Sequence, residues 1–174
     1  HAVSGNVILG QVTASGETAT IYVQASGSIT EDSDPTADLD AGGLITLSAG
    51  SDLGTSSNRL DITAGDRLSA TSTDGSIYLH GLGALTVQEA TANSGTADIL
   101  SDGTLTATTI NTQSANLQAS SGGIAATTIN ATNGATLLAT AGDINTGTLT
   151  STGNVSIHAV SGNVILGQVT ASGE

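Results

Sequence analysis

Apolar residues alternate with small polar ones in stretches of five to seven residues, as in Ala19–Ala25, Ser76–His80 and Asn154–Ala159. A period of two predicts short strands that turn one face inward. Glycine, Asn and Ser separate the stretches and supply the turns. No segment sustains the 3.6-residue period of an amphipathic helix, so the expected class is all-β.

The strands recur. Gly103, Gly122, Gly142 and Gly162 follow one another at 19, 20 and 20 residues. Two positions after them stand Leu105, Ile124, Ile144 and Val164, and seven after them Ile110, Ile129, Leu149 and Val169. Leu117, Leu137 and Ile157 precede the last three glycines by five. The coil at Gly83 continues the pattern with Leu85 and Ala90. A unit of this length cannot bury its own apolar face, and stacked units can. Stacking also predicts that Asn111 and Asn130 lie side by side. The fit is poorest in the middle, where Leu53 and Leu68 follow Gly50 and Gly65 by three residues.

A longer period encloses the short one. HAVSGNVILGQVTASGE occupies residues 1–17 and again 158–174, an offset of 157. Eight glycine steps lead from Gly5 through Gly27, Gly50, Gly65 and Gly83 to Gly162. The 157-residue repeat is therefore read as about eight coils of ~20 residues, and 1–174 as one β-solenoid segment with a 17-residue overlap. At ~4.8 Å per rung, eight coils advance roughly 38 Å. The overlap, and a start at His1 without Met or signal peptide, lead us to expect a piece of a longer repetitive chain.

Composition agrees with a narrow prism. Phe, Trp, Met and Cys are absent, Ala, Gly, Ser and Thr dominate, and charged residues make up 10%. Fifteen acidic residues against Arg59 and Arg67 give a net charge of −13. Such a surface cannot neutralise a phosphate backbone or dock on an anionic bilayer, so neither nucleic-acid binding nor direct membrane insertion is expected. No disulfide or thiolate chemistry is available. An acidic chain without Lys or Cys suits an extracellular setting.

Candidate chemistry is sparse. Residues 31–40, EDSDPTADLD, hold five of the acidic residues and the single proline, and are read as a loop inserted into the solenoid. Asp32, Asp34, Asp38 and Asp40 are candidate calcium ligands, because hard cations prefer clustered carboxylates. The alternative is a solvated acidic turn, and the GGxGxD pattern of calcium-binding β-rolls is absent. No other cofactor is suggested. Asp61 and Asp66 stand near Arg59 and Arg67 and are expected to form surface ion pairs. His80 and His158 lack a second histidine at metal-ligand spacing and read as ordinary strand residues. No nucleophile elbow accompanies the serines, and no enzymatic activity is expected. Threonines such as Thr106/Thr108 and Thr127/Thr128 invite comparison with ice-binding arrays, but a TxT column is broken by Ala125-Ala126-Thr127. Asn130-Ala131-Thr132 and Asn154-Val155-Ser156 are formal glycosylation sequons of a kind common by chance.

The run ATLLATAGDINTGTLTSTGNVSIHAVSGNVILGQVTASG, with alternating strands followed by AGxI or SGxV, resembles the repeats of filamentous-haemagglutinin-type bacterial exoproteins. The resemblance covers most of the chain, best over 74–174. It implies a right-handed parallel β-helix, export, and a long surface fibre serving adhesion or matrix building. The reading from sequence is thus a structural module of an extracellular filament or adhesin shaft. Its partners would be identical repeats, joined covalently or stacked head to tail. The alternative is a solenoid-borne binding module for carbohydrate, a host surface or ice, although two tyrosines offer little for sugar stacking.

Overall fold

The computed structural model describes residues 2–34, 36–64 and 67–173. The expectations that involve His1, Pro35, Gly65 and Asp66 lie outside the described residues. Fifteen strands and no helix occur among the described residues. The first nine are β1 (Val7–Leu9), β2 (Val12–Ala14), β3 (Ile21–Ala25), β4 (Ile29–Glu31), β5 (Leu39–Ala41), β6 (Leu44–Ala49), β7 (Leu60–Ala64), β8 (Arg67–Ser72) and β9 (Ile77–Gly81). There follow β10 (Leu85–Ser101), β11 (Leu105–Ala119), β12 (Ile124–Ala139), β13 (Ile144–Ser151), β14 (Asn154–Ala159) and β15 (Val164–Ala171). Every pairing is parallel, as coil stacked on coil requires.

Each coil has three faces. In β11 they are Leu105–Ala107, Thr109–Thr112 and Ser114–Ala119, and the paired registers break between them as the strand bends at the corners. On face one, Ile21, Ile45, Leu68, Val87, Ala107, Ala126, Thr146 and Leu166 stack in line. On face three the line runs Val7, Ile29, Leu53, Ile77, Ala97, Ala115, Ala135 and Val155. Each face therefore stacks about eight rungs, and the molecule is a β-solenoid. The apolar columns pair as expected: Leu85, Leu105, Ile124, Ile144 and Val164, and likewise Ala90, Ile110, Ile129, Leu149 and Val169.

The core explains the composition. One rung buries a large side chain on each face (Leu105, Ile110 and Leu117), and the remaining inward positions are Ala107, Thr112, Ala115 and Ala119. Three branched side chains meeting at one axis leave room only for methyl-sized neighbours. Inward hydroxyls at corners bond the turns. Ser72 Oγ donates to the Ser51 carbonyl at 2.6 Å, and Thr112 Oγ1 to that of Gly95 at 2.7 Å. Close stacking also dictates glycine: a Cβ at Gly153 would overlap the Asn133 carbonyl oxygen, and Gly142 turns with φ 96°.

Thr146 is the exception. It stands between Ala126 and Leu166 in the face-one column, is 2% exposed, and its Oγ1 has no hydrogen-bond partner. Thr146→Val keeps the shape and removes the unpaired hydroxyl, so it is expected to stabilise the fold by about 1–2 kcal/mol. Thermal melting checks this; a lower midpoint would mean that the hydroxyl is bonded.

Two findings were not visible in the glycine series. Gly5, Gly27 and Gly75 precede face three, with Val7, Ile29 and Ile77 two residues later, whereas Gly83, Gly103 and Gly142 precede face one. The same Gly-x-apolar signature thus marks two different corners. Leu53, read as a displaced member of the face-one column, instead bridges Ile29 and Ile77 on face three. Leu68 does lie on face one, but opposite Val87, not Leu85. The duplicated heptadecapeptide shows the same ambiguity. Its first copy forms β1 and β2 on face three with Leu9 buried, while its second forms β15 across faces one and two with all eight residues exposed.

Candidate functional site

Face three is interrupted in successive coils. Between β4 and β5 runs the acidic insertion, and between Leu53 and β7 residues 54–59 leave the ladder. β9 crosses the same place unbroken, with Ile77 opposite Leu53 and Leu79 opposite Leu60. The two insertions sit on adjacent coils and touch, Asn58 Nδ2 donating to Ser33 Oγ at 2.6 Å. Thr55 shapes the second, its Oγ1 accepting from the Asn58 N–H at 2.9 Å. Between them opens a cleft of about 320 Å³, walled by Glu31, Asp34 and Asn58 and floored by Arg59, Asp61 and His80.

The structure brings together only part of the proposed calcium quartet. Asp32 and Asp38 lie with Glu31, carboxylate oxygens of all three falling within 4.8 Å of one another. Ligand oxygens around a calcium ion at 2.3–2.6 Å lie at most ~5 Å apart, so this spacing fits one shared hard cation. Asp34 and Asp40 are not in the group. Asp34 turns back to accept from the Thr36 N–H at 2.7 Å and from its hydroxyl, which holds its carboxyl below the ordinary value. Asp40 stands two residues beyond Asp38, in β5. Glu31 opens the 31–40 segment but was not among the four candidate ligands, all aspartates; it ends β4, which fixes it beside Asp32 and Asp38.

Asp38 is the unusual member, at 2% exposure the only buried acidic side chain among the described residues. Its Oδ2 accepts the Asp61 N–H at 2.7 Å. Burial, reinforced by the charges of Glu31, Asp61 and Asp32, pushes its pKa up to about 7, and the Asp61 N–H bond offsets only part of this.

The cationic groups are committed elsewhere. Arg59 does not pair with Asp61: its Nη2 lies 2.7 Å from Asp98 Oδ2 and its Nη1 donates to the Asp98 carbonyl at 2.9 Å. Asp98 also accepts from Asn116 Nδ2 at 2.8 Å. His80 is more than an ordinary strand residue. Its Nδ1 is 2.9 Å from Asp61 Oδ1 and its Nε2 3.1 Å from Asp102 Oδ1, so each ring nitrogen faces a carboxylate of a different coil. His158 is exposed on β14. With Arg59 and His80 so engaged, the cleft offers an incoming ligand chiefly carboxylate and hydroxyl oxygens. These partners come from one or two coils away, 19 to 39 residues along the chain, and no local motif announces them.

The outward ladders are short. Asn130 Nδ2 donates to Asn111 Oδ1 at 2.9 Å, as stacking predicts. The longest unbroken line of threonines is Thr109, Thr128 and Thr148, bounded by Glu89 and Gln168. Three rungs make no extended flat array.

Fold and site together define a parallel β-solenoid carrying a loop-built acidic cleft on one face. No protein-family model, curated protein or solved structure matches the chain.

Proposed function

We propose that the chain is a structural module of a long extracellular filament or adhesin shaft. The observation that supports it is the parallel ladder, which runs from β2 to β15 and presents unpaired strand edges at both ends among the described residues. Natural sheets block such edges with charge, proline or a covering element unless another strand is to pair there. The resemblance to filamentous-haemagglutinin-type repeats supports the same reading, as does the 17-residue duplication at an offset of 157. A net charge of −13 keeps neighbouring shafts apart. The shaft grows by further repeats or by head-to-tail stacking.

The test is electron microscopy of the purified native material. Thin unbranched filaments with a ~4.8 Å axial reflection are expected. Discrete particles without that periodicity would overturn the shaft. A second reading, a binding module displayed on the solenoid, draws on the cleft between residues 32–38 and 54–59. Its mark is saturable glycan binding by the monomer that is lost when the cleft residues are changed.

A further inference from the structure

The two ends of the solenoid are complementary steps. The upper end stops after faces one and two: β15 pairs with β13 below it, and β14 on face three pairs only with β12. The lower end begins on face three: β1 and β2 pair with β4 and β5 above them, while β3 pairs with β6 and is touched from below only by Ala2 at Ala25. The upper end thus lacks a face-three strand on its last coil, and the lower end starts with one.

We infer that two copies of this chain stack head to tail and build one composite coil, with β15 of one copy supplying faces one and two and β1–β2 of the other supplying face three. The inference rests on the shaft reading and adds the partner, the register and the role of the duplicated peptide. Following the existing columns across the junction sets β3 of the incoming copy over β15. Leu166 then meets Ile21, Val169 meets Val23, and Ala171 meets Ala25. On face three, Val155 meets Val7, and an unbroken register two residues further sets Ile157 against Leu9. All five inward pairs are apolar on apolar, like Leu85 on Leu105 or Ile110 on Ile129 inside the molecule.

Charge and exposure agree with this docking. The five strands at the junction, β1, β2, β3, β14 and β15, contain no Asp, Glu, Lys or Arg, although the chain holds 15 acidic residues. An edge without charge or proline is one that nothing keeps from pairing. Val164, Leu166 and Val169 are 43, 44 and 36% exposed at the upper end, whereas Ile144, Thr146 and Leu149 beneath them are buried. A second copy covers the former as β15 covers the latter. Ala2 and the incoming Ala171 compete for the same place beside Ala25, so the single Ala2 bridge gives way on docking.

Cross-linking tests the register, because the chain has no cysteine of its own. Thr170 and Gln24 are the outward pair of the junction, between Val169/Val23 and Ala171/Ala25. Purified Thr170→Cys protein is mixed with an equal amount of Gln24→Cys protein and oxidised mildly, so that a mixed dimer requires two chains. In register the two Cα atoms are ~4.8 Å apart, within disulfide reach, whereas Thr170 and Tyr22 are about 8 Å apart. The mixture with Gln24→Cys is expected to yield mixed dimer at least ten times faster than the mixture with Tyr22→Cys. Each variant is first checked for wild-type circular dichroism, with Ser156→Cys and Ile8→Cys as the face-three pair should either fail to fold. Equal rates for the two partners would overturn the register, and absence of mixed dimer from both folded pairs would overturn stacking in trans. The shaft reading falls only if native material shows no filaments.

Discussion

Replacing Ile129 with Asp is expected to unfold the middle of the solenoid. Ile129 is completely buried and stacks between Ile110 and Leu149. The substitution loses a packed side chain, about 2–5 kcal/mol, and leaves a carboxylate with no cation near it, which costs more. A total loss above ~5 kcal/mol is expected. Each coil contacts only its neighbours, so the damage stays local: amide protection falls over residues 105–151 and survives over 44–81. Thr127→Asp, on the exposed side of the same strand, supplies the control and shifts the melting temperature little. Unchanged melting of Ile129→Asp would mean that the inward column is wrongly assigned.

The second large effect belongs to Asp38 and is read through pH. Its folded-state pKa of about 7 stands above the ordinary value of 3.8. The folded protein therefore holds a proton that the unfolded chain has released, and stability falls as pH rises from about 4 to about 7. A shift of this size corresponds to at most ~4 kcal/mol. Asp38→Asn keeps an oxygen to accept the Asp61 N–H and carries no charge. It is expected to match wild type near pH 4 and to exceed it in stability above pH 7. Denaturant melts across this range check the sign; parallel curves for the two proteins would remove Asp38 as the source. The same melts decide between calcium site and solvated turn. A cation must displace the Asp38 proton, so calcium raises the wild-type midpoint above pH 7, not below pH 5, and leaves Asp38→Asn unmoved. Identical wild-type melts with and without calcium at every pH leave a solvated turn.

The cleft was only half legible in advance. Residues 31–40 announced themselves by charge and Pro35, and two of the four carboxylates chosen do come together. His80 and the Arg59–Asp98 pair required knowing which coil lies above which, because their partners are set by stacking and not by sequence spacing. The insertion at 54–59, rich in Ser and Thr, carries no charge before Arg59 and gave no signal of forming the other wall.

Local pattern determined the strands, the inward columns from Leu85 to Val169 and the parallel stack, because a period of two and a recurrence near 20 residues admit few other burials. It did not determine the corner at which a coil begins. Gly-x-apolar serves Gly27 before face three and Gly103 before face one, and HAVSGNVILGQVTASGE serves a split rung with Leu9 buried at one end and a continuous, exposed one at the other. The three faces offer similar small, apolar columns, so the peptide itself holds no preference strong enough to choose. The neighbouring rung supplies the hydrogen bonds and the methyl groups to be matched, and that tertiary contact sets the placement.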